Sequence, residues 1–305
     1  MVKIRANGND VEYDEIGPKN GAPILMINGF GSQMTSWPDE YREGLAAAGL
    51  RFIRFDNRDV GLARKWSGIP DQRAVVQAVR EGKRPDIPYT LDDMAADAAG
   101  LLDALGIESA HISGASMGGM LAQLVALNHP RKARSLISIF STTGDPSLPQ
   151  SAPEAMAALT SKPESTDRAT VIAHGLKGRR TYASTKFPFN EARISALIGN
   201  AYDRSYYPEG SARQYAAVMA APPRTERLRS LNLPALVLHG SADTLLRPEC
   251  GRHTAKCIPG SEYHEIDGWG HDMPLEVIPL VHGFILPFVR KVEASRKDGY
   301  AVAAA

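Results

Sequence analysis

Gly114-Ala115-Ser116-Met117-Gly118 stands between two segments of different period, and that junction decides the fold. Upstream, Ala110-His111-Ile112-Ser113 reads as a short buried strand. Downstream, Met120, Leu121, Leu124, Val125 and Leu127 recur at helical spacing until His129-Pro130 ends the run. A strand that turns sharply into a helix needs small residues on both sides of the turn, and Gly114 and Gly118 leave that room. Such a turn holds the Ser116 hydroxyl out of the sheet at a helix N-terminus. There the Met117 backbone N–H points at developing negative charge, so Ser116 is a candidate nucleophile. A plain Gly-rich turn with a capping serine has the same pattern, and the surrounding elements must decide between them.

Those elements alternate. Ile24-Leu25-Met26-Ile27 and Arg51-Phe52-Ile53-Arg54-Phe55 are short apolar runs with a helix-like segment at 39–48 between them, as buried parallel strands read. Residues 90–107 give the clearest helix, with Leu91, Met94, Ala95, Ala98, Leu101, Leu102 and Leu105 on one face and Thr90 with Asp93 as its N-terminal cap. Further strands are expected at 135–140, 235–238 and 263–266, and a hairpin around Asn7-Gly8-Asn9-Asp10 leads into the domain. The pattern predicts an α/β fold with a doubly wound, mostly parallel sheet.

One stretch breaks the alternation. Residues 141–229 carry Pro146, Pro149, Pro153, Pro163, Pro188, Pro208, Pro222 and Pro223 among helix-prone segments and show no buried-strand pattern. This reads as an inserted helical lid over the carboxyl ends of the strands, where open α/β sheets bind ligands. The expected organisation is a core in two parts, 1–140 and 230–296, the lid at 141–229, and a flexible tail at 297–305.

Composition narrows the function. A net charge of +1 over 305 residues gives no basic stripe, so nucleic acid is not an expected partner. No apolar stretch approaches the roughly 20 residues that span a bilayer. Met1-Val2-Lys3-Ile4-Arg5 brings charges at once without a signal-peptide core, and the expectation is a soluble, cytoplasmic protein that does not bind membranes. Cys250 and Cys257 match neither a redox pair nor a zinc ligand set, and no metal or cofactor is expected. The last strand and the helical run at 275–289 offer surfaces through which two copies could pair as a homodimer.

A serine near neutral pH needs a base, and the base needs an acid to orient its tautomer. His239-Gly240-Ser241-Ala242-Asp243 puts an aspartate past one strand, and Asp267-Gly268-Trp269-Gly270-His271 puts a histidine past the next. His271 combines a Gly-rich loop, a post-strand position and a place downstream of the acid; His253 and His264 are its competitors. Asp145, Asp267 and Asp272 are alternatives to Asp243. Asn28-Gly29-Phe30-Gly31 follows a strand, so the Phe30 N–H is the second candidate oxyanion donor beside Met117. Gly29 would let the backbone approach a substrate, and Phe30 and Trp37 would wall its pocket, although both aromatics equally fit ordinary core packing.

With these residues in place the chain resembles the α/β-hydrolase superfamily over nearly its whole length. Gly114-Ala115-Ser116-Met117-Gly118-Gly119 is similar to its nucleophile elbow, the segment ending at Asp243 to its acid loop, and Gly268-Trp269-Gly270-His271-Asp272-Met273-Pro274 to its histidine loop. Asn28 departs from the family's usual His-Gly pair. The Arg-Asp-x-Gly form at Arg58-Asp59-Val60-Gly61 resembles the branch containing the aclacinomycin methylesterases, and Asp56 with Arg58 reads as a structural pair bracing the loops. The resemblance implies hydrolysis of a small-molecule carboxylic ester by Ser116, His271 and Asp243 without a cofactor. Carbon-carbon hydrolysis of ring-cleavage diketones is the main alternative, with lactonase and aminopeptidase activities beside it. An aminopeptidase would need carboxylates for a substrate amine, and Glu154, Glu191 and Glu209 are the available ones. A non-catalytic ligand receptor on the same fold is the distant alternative.

Overall fold

A computed structural model describes residues 1–296, and the tail expected at 297–305 lies outside the described residues. Among them, eight strands form one sheet: β1 (Val2–Ala6), β2 (Asn9–Ile16), β3 (Ala22–Ile27), β4 (Leu50–Phe55), β5 (Ala110–Ala115), β6 (Ala133–Ile139), β7 (Ala235–Gly240) and β8 (Glu262–Ile266). Their order across the sheet is β1-β2-β4-β3-β5-β6-β7-β8. β1–β2 and β2–β4 are antiparallel, and every other neighbouring pair is parallel. The expected hairpin is β1–β2, turned at Asn7 and Gly8 with φ of +47° and +74°, and it joins the sheet through β2.

The apolar runs follow from burial on two faces. All six residues of β3 are buried. Leu25 and Ile27 meet the helices Leu91–Ala104 and Met117–Asn128, while Ile24 and Met26 meet the helices Asp39–Ala47 and Ile278–Ser295 on the opposite face. Fully burying one such side chain is worth about 1.5–3 kcal/mol. The helix expected from Thr90 starts with a reciprocal cap: Asp93 N–H donates to Thr90 Oγ1 at 3.2 Å, and Thr90 N–H donates to Asp93 Oδ2 at 2.8 Å.

The helix Gln72–Arg80 had no counterpart in the sequence reading. Asp71 caps it, and Val75 is its buried residue. Between β6 and β7 the described residues hold five helices, Pro153–Thr160, Arg168–Arg180, Glu191–Arg204, Pro208–Ala220 and Thr225–Arg229, and no strand. Pro153 and Pro208 sit in first helical turns, where a missing N–H leaves no hydrogen bond unmade. No described helix is long and apolar enough to cross a membrane.

Candidate active site

Ser116 joins β5 to the helix Met117–Asn128 with φ +57° and ψ −123°, a conformation that costs a non-glycine residue about 1–3 kcal/mol. The surroundings hold it there. Ser116 N–H donates to Ile139 O at 3.0 Å, and Ser116 O accepts from Gly119 N–H at 2.9 Å and from the Ser141 hydroxyl at 2.7 Å. A methyl group on Gly114 would run into the Gly118 carbonyl, and one on Gly118 into the Ile27 carbonyl. Met117 N–H occupies the first helical position, where no intrahelical carbonyl reaches it.

Asp243 follows β7 and His271 follows β8. Their side chains meet, with His271 Nδ1 2.7 Å from Asp243 Oδ2. The second oxygen, Oδ1, accepts from Leu245 and Leu246 N–H, both at 2.9 Å. Burial pushes the Asp243 carboxyl up, but the adjoining His271 and His239 outweigh it and hold the group down to about 2. An ionised carboxylate only accepts hydrogen bonds, so Nδ1 of His271 carries the proton and donates it to Asp243 Oδ2. The His271 ring packs on Phe140 with centroids 4.6 Å apart. Ser116 and His271 thus lean on consecutive residues, Ile139 and Phe140, at the end of β6.

His239, near the end of β7, also adjoins the acid. Its Nε2 lies 3.5 Å from Asp243 Oδ2 and 2.7 Å from Leu246 O. Gly251 makes room for it, since a methyl there would strike the imidazole. The alternative acids take other partners. Asp267 pairs with Lys186 on the surface and accepts from Ser241 Oγ at 3.1 Å. Asp272 accepts the Ser184 hydroxyl and N–H, and burial pushes its carboxyl up. Asp145 accepts from Ser147 and Thr225 and lies 3.9 Å from His253, so those two alternatives face each other. His264 stacks on Phe284 at 4.1 Å.

The loop after β3 lies against the serine turn. A methyl on Gly29 would come within 3.2 Å of Ser116 Cβ and 3.8 Å of its Oγ. Phe30 follows, its ring edge-on to Tyr215 with centroids 6.1 Å apart. Asn28 is buried, its side-chain amide donating to Phe55 O at 3.4 Å while its backbone carbonyl accepts from Asn57 Nδ2 at 3.0 Å. Trp37 is corrected from pocket wall to core: it is buried and packs on Tyr41 with ring centroids 4.7 Å apart. Asp56 and Arg58 are not partners of each other. Asp56 binds Arg204 at 2.7 Å and accepts from Met34 and Leu62 N–H, whereas Arg58 pairs with Asp97.

The inserted segment touches each of these loops. His271 N–H donates to Tyr182 O at 2.7 Å, and Thr185 N–H to Gly268 O at 2.8 Å. Ala152 N–H donates to Thr244 O at 2.8 Å, beside Asp243, and Gln33 Nε2 donates to Ala201 O at 2.7 Å. Arg213 grips Asp59 with two bonds of 2.8 and 3.0 Å, both side chains almost wholly buried. No periodicity announces such polar ties. Glu154, Glu191 and Glu209 are exposed, and Glu191 is paired with Arg180. Among the described residues no group of three or more His, Cys, Asp or Glu side chains is placed to hold a metal ion.

Known proteins share this arrangement in part. The chain is 28% identical over 285 residues to a rhodomycin D methylesterase of Streptomyces sp. (strain C5), covering 86% of this chain and 89% of that one. It is 25% identical over 299 residues to a 2-hydroxy-6-oxononadienedioate/2-hydroxy-6-oxononatrienedioate hydrolase of Burkholderia vietnamiensis (strain G4 / LMG 22486), covering 95% of each. A thermophilic esterase from Thermogutta terrifontis superposes with a TM-score of 0.71 at 26% identity, over 95% of this chain and 98% of that one. The model of the alpha/beta hydrolase fold matches residues 22–276, a span that takes in the serine turn, both loops behind it and the insertion between them, and the chain belongs to that family.

Proposed function

We propose that the protein is a carboxylic-ester hydrolase that works through an acyl-enzyme on Ser116. The observation that carries this reading is the 2.7 Å contact between His271 and a buried, ionised Asp243, on the loops that follow β8 and β7 as Ser116 follows β5. His271 Nε2 takes the Ser116 proton as Oγ attacks the ester carbonyl, and Asp243 stabilises the resulting imidazolium. The tetrahedral oxyanion is received by Met117 N–H and Phe30 N–H, and removing one such donor typically costs about 10²–10³ in rate. The alcohol leaves with the proton from His271. Water, activated by the same imidazole, then releases the acid and restores the serine.

The inserted helices act as a lid whose inner residues select the substrate. Ester chemistry is further supported by the methylesterase relative. The carbon-carbon hydrolase relative keeps a second reading open, because one serine triad serves both bond types on this fold. Hydrolysis of p-nitrophenyl and methyl esters of increasing acyl length tests the choice. The expected result is turnover that Ser116→Ala lowers by about 10⁴-fold or more. Turnover unchanged in that variant contradicts the mechanism, and consumption of a dienol diketone with no ester hydrolysis favours the second reading.

A further inference from the structure

Resting on that reading, we infer that Gln214, on the inserted helix Pro208–Ala220, is a positioning residue for the oxyanion hole. Gln214 is fully buried. Its Oε1 accepts the Gly31 N–H at 2.8 Å, and its Nε2 donates to Arg58 O at 2.7 Å. The two partners fix the amide's orientation, since a backbone N–H only donates and a carbonyl only accepts. Gly31 has φ +63°, so the loop bends sharply one residue after the Phe30 N–H that would meet the oxyanion. Holding the Gly31 N–H toward the helix fixes the peptide plane immediately after Phe30, the residue whose own N–H would meet the oxyanion.

The neighbours of Gln214 act on the same structure. Arg213 binds Asp59, and the Tyr215 ring meets Phe30. Gly210 lets the helix come this near, since a methyl there would run into the Asp59 carbonyl. Three consecutive side chains therefore hold two loops together, the one after β3 at Phe30 and Gly31 and the one after β4 at Arg58 and Asp59, and the insertion becomes part of the apparatus that stabilises the transition state.

The test compares Gln214→Met, which removes both bonds, with Gln214→Glu, which keeps an acceptor for Gly31 N–H but sets a carboxylate against Arg58 O. Wild-type ester turnover and its loss in Ser116→Ala are measured first; if wild type has none, this inference falls together with the proposed function. Given turnover, Gln214→Met is expected to lower kcat by about 10- to 100-fold, below the loss of a whole donor, with KM within about threefold. Affinity for a trifluoromethyl ketone, to whose carbonyl carbon Ser116 Oγ adds while its proton passes to His271, falls by the same factor as kcat/KM. Affinity for the product acid stays level. Gln214→Glu is expected to be no more stable than Gln214→Met yet to keep more of kcat, an ordering that a purely structural role would reverse. If Gln214→Glu does not fold, the methionine variant alone decides by its kcat, KM and ketone affinity. Wild-type kcat and ketone affinity in Gln214→Met would overturn the inference while leaving the ester hydrolase standing.

Discussion

β3 and the inserted helix Glu191–Arg204 bury their residues in opposite proportion. All six positions of the strand are inside, whereas of the helix's fourteen residues only Gly199 is buried. The strand is held by apolar contact on both faces and is specified by hydrophobicity alone. The helix is tied to the core loops near its C-terminal end, where Ala201 O accepts from Gln33 and Arg204 binds Asp56 and Gln33 Oε1. The sheet is a packed base of the first kind, and an insertion of the second kind is fastened to the loops that follow its strands. Insertion and candidate site are therefore one hydrogen-bonded unit.

The largest effect on that contrast is expected at Arg213. Replacing it with methionine removes a guanidinium and leaves Asp59 buried with only the Tyr89 hydroxyl and Trp66 N–H as donors. Breaking one side of such a buried pair costs about 3–5 kcal/mol, to be read from urea unfolding. A loss below about 1 kcal/mol would mean the insertion is fastened elsewhere.

A smaller effect comes from acid. Asp243 is held at about 2 in the folded protein against 3.8 for a free aspartate, so its pairing contributes stability that is present above pH 4 and lost as pH falls toward 2. By linkage the contribution at neutral pH is about 2 kcal/mol. Asp243→Asn should flatten the acid limb of a stability profile between pH 4 and 2, and an unchanged limb would show that other carboxylates dominate it. The smallest effect belongs to the exposed tie between Arg193 on the insertion and Glu40 on a core helix, 2.7 Å apart. Arg193→Ala should cost less than about 1 kcal/mol, and a cost like that of Arg213 would erase the distinction between buried and exposed fastenings.

The same contrast explains what could be read in advance. Ile24 to Ile27 and the elbow around Ser116 declare themselves because burial on two faces demands unbroken apolar runs and because a tight strand-to-helix turn demands glycine; β4 keeps its apolar residues inside while its Arg54 is paired with Asp14. Asp243 and His271 follow from their places after strands. Trp37 was ambiguous for a physical reason, since a large ring near a site fits the core or the pocket equally well, and here its contact with Tyr41 puts it in the core. Arg213 and Gln214 left no signal. A charged residue and an amide on a helix usually face water, and only the approach of Asp59, Arg58 and Gly31 from distant loops turns them inward. Asp56 and Arg58, expected to pair with each other, instead each take a partner far along the chain, Arg204 and Asp97, which their spacing in the sequence does not announce. His239 likewise gains its place beside Asp243 through the turn that follows β7.

The most direct test of the central claim is covalent labelling with a fluorophosphonate, followed by mass analysis of the peptide that carries the adduct. The account predicts one adduct per chain on Ser116, with labelling slowed by orders of magnitude in His271→Ala because the serine has lost its base. An adduct on another residue, or equal labelling in the two proteins, would contradict it.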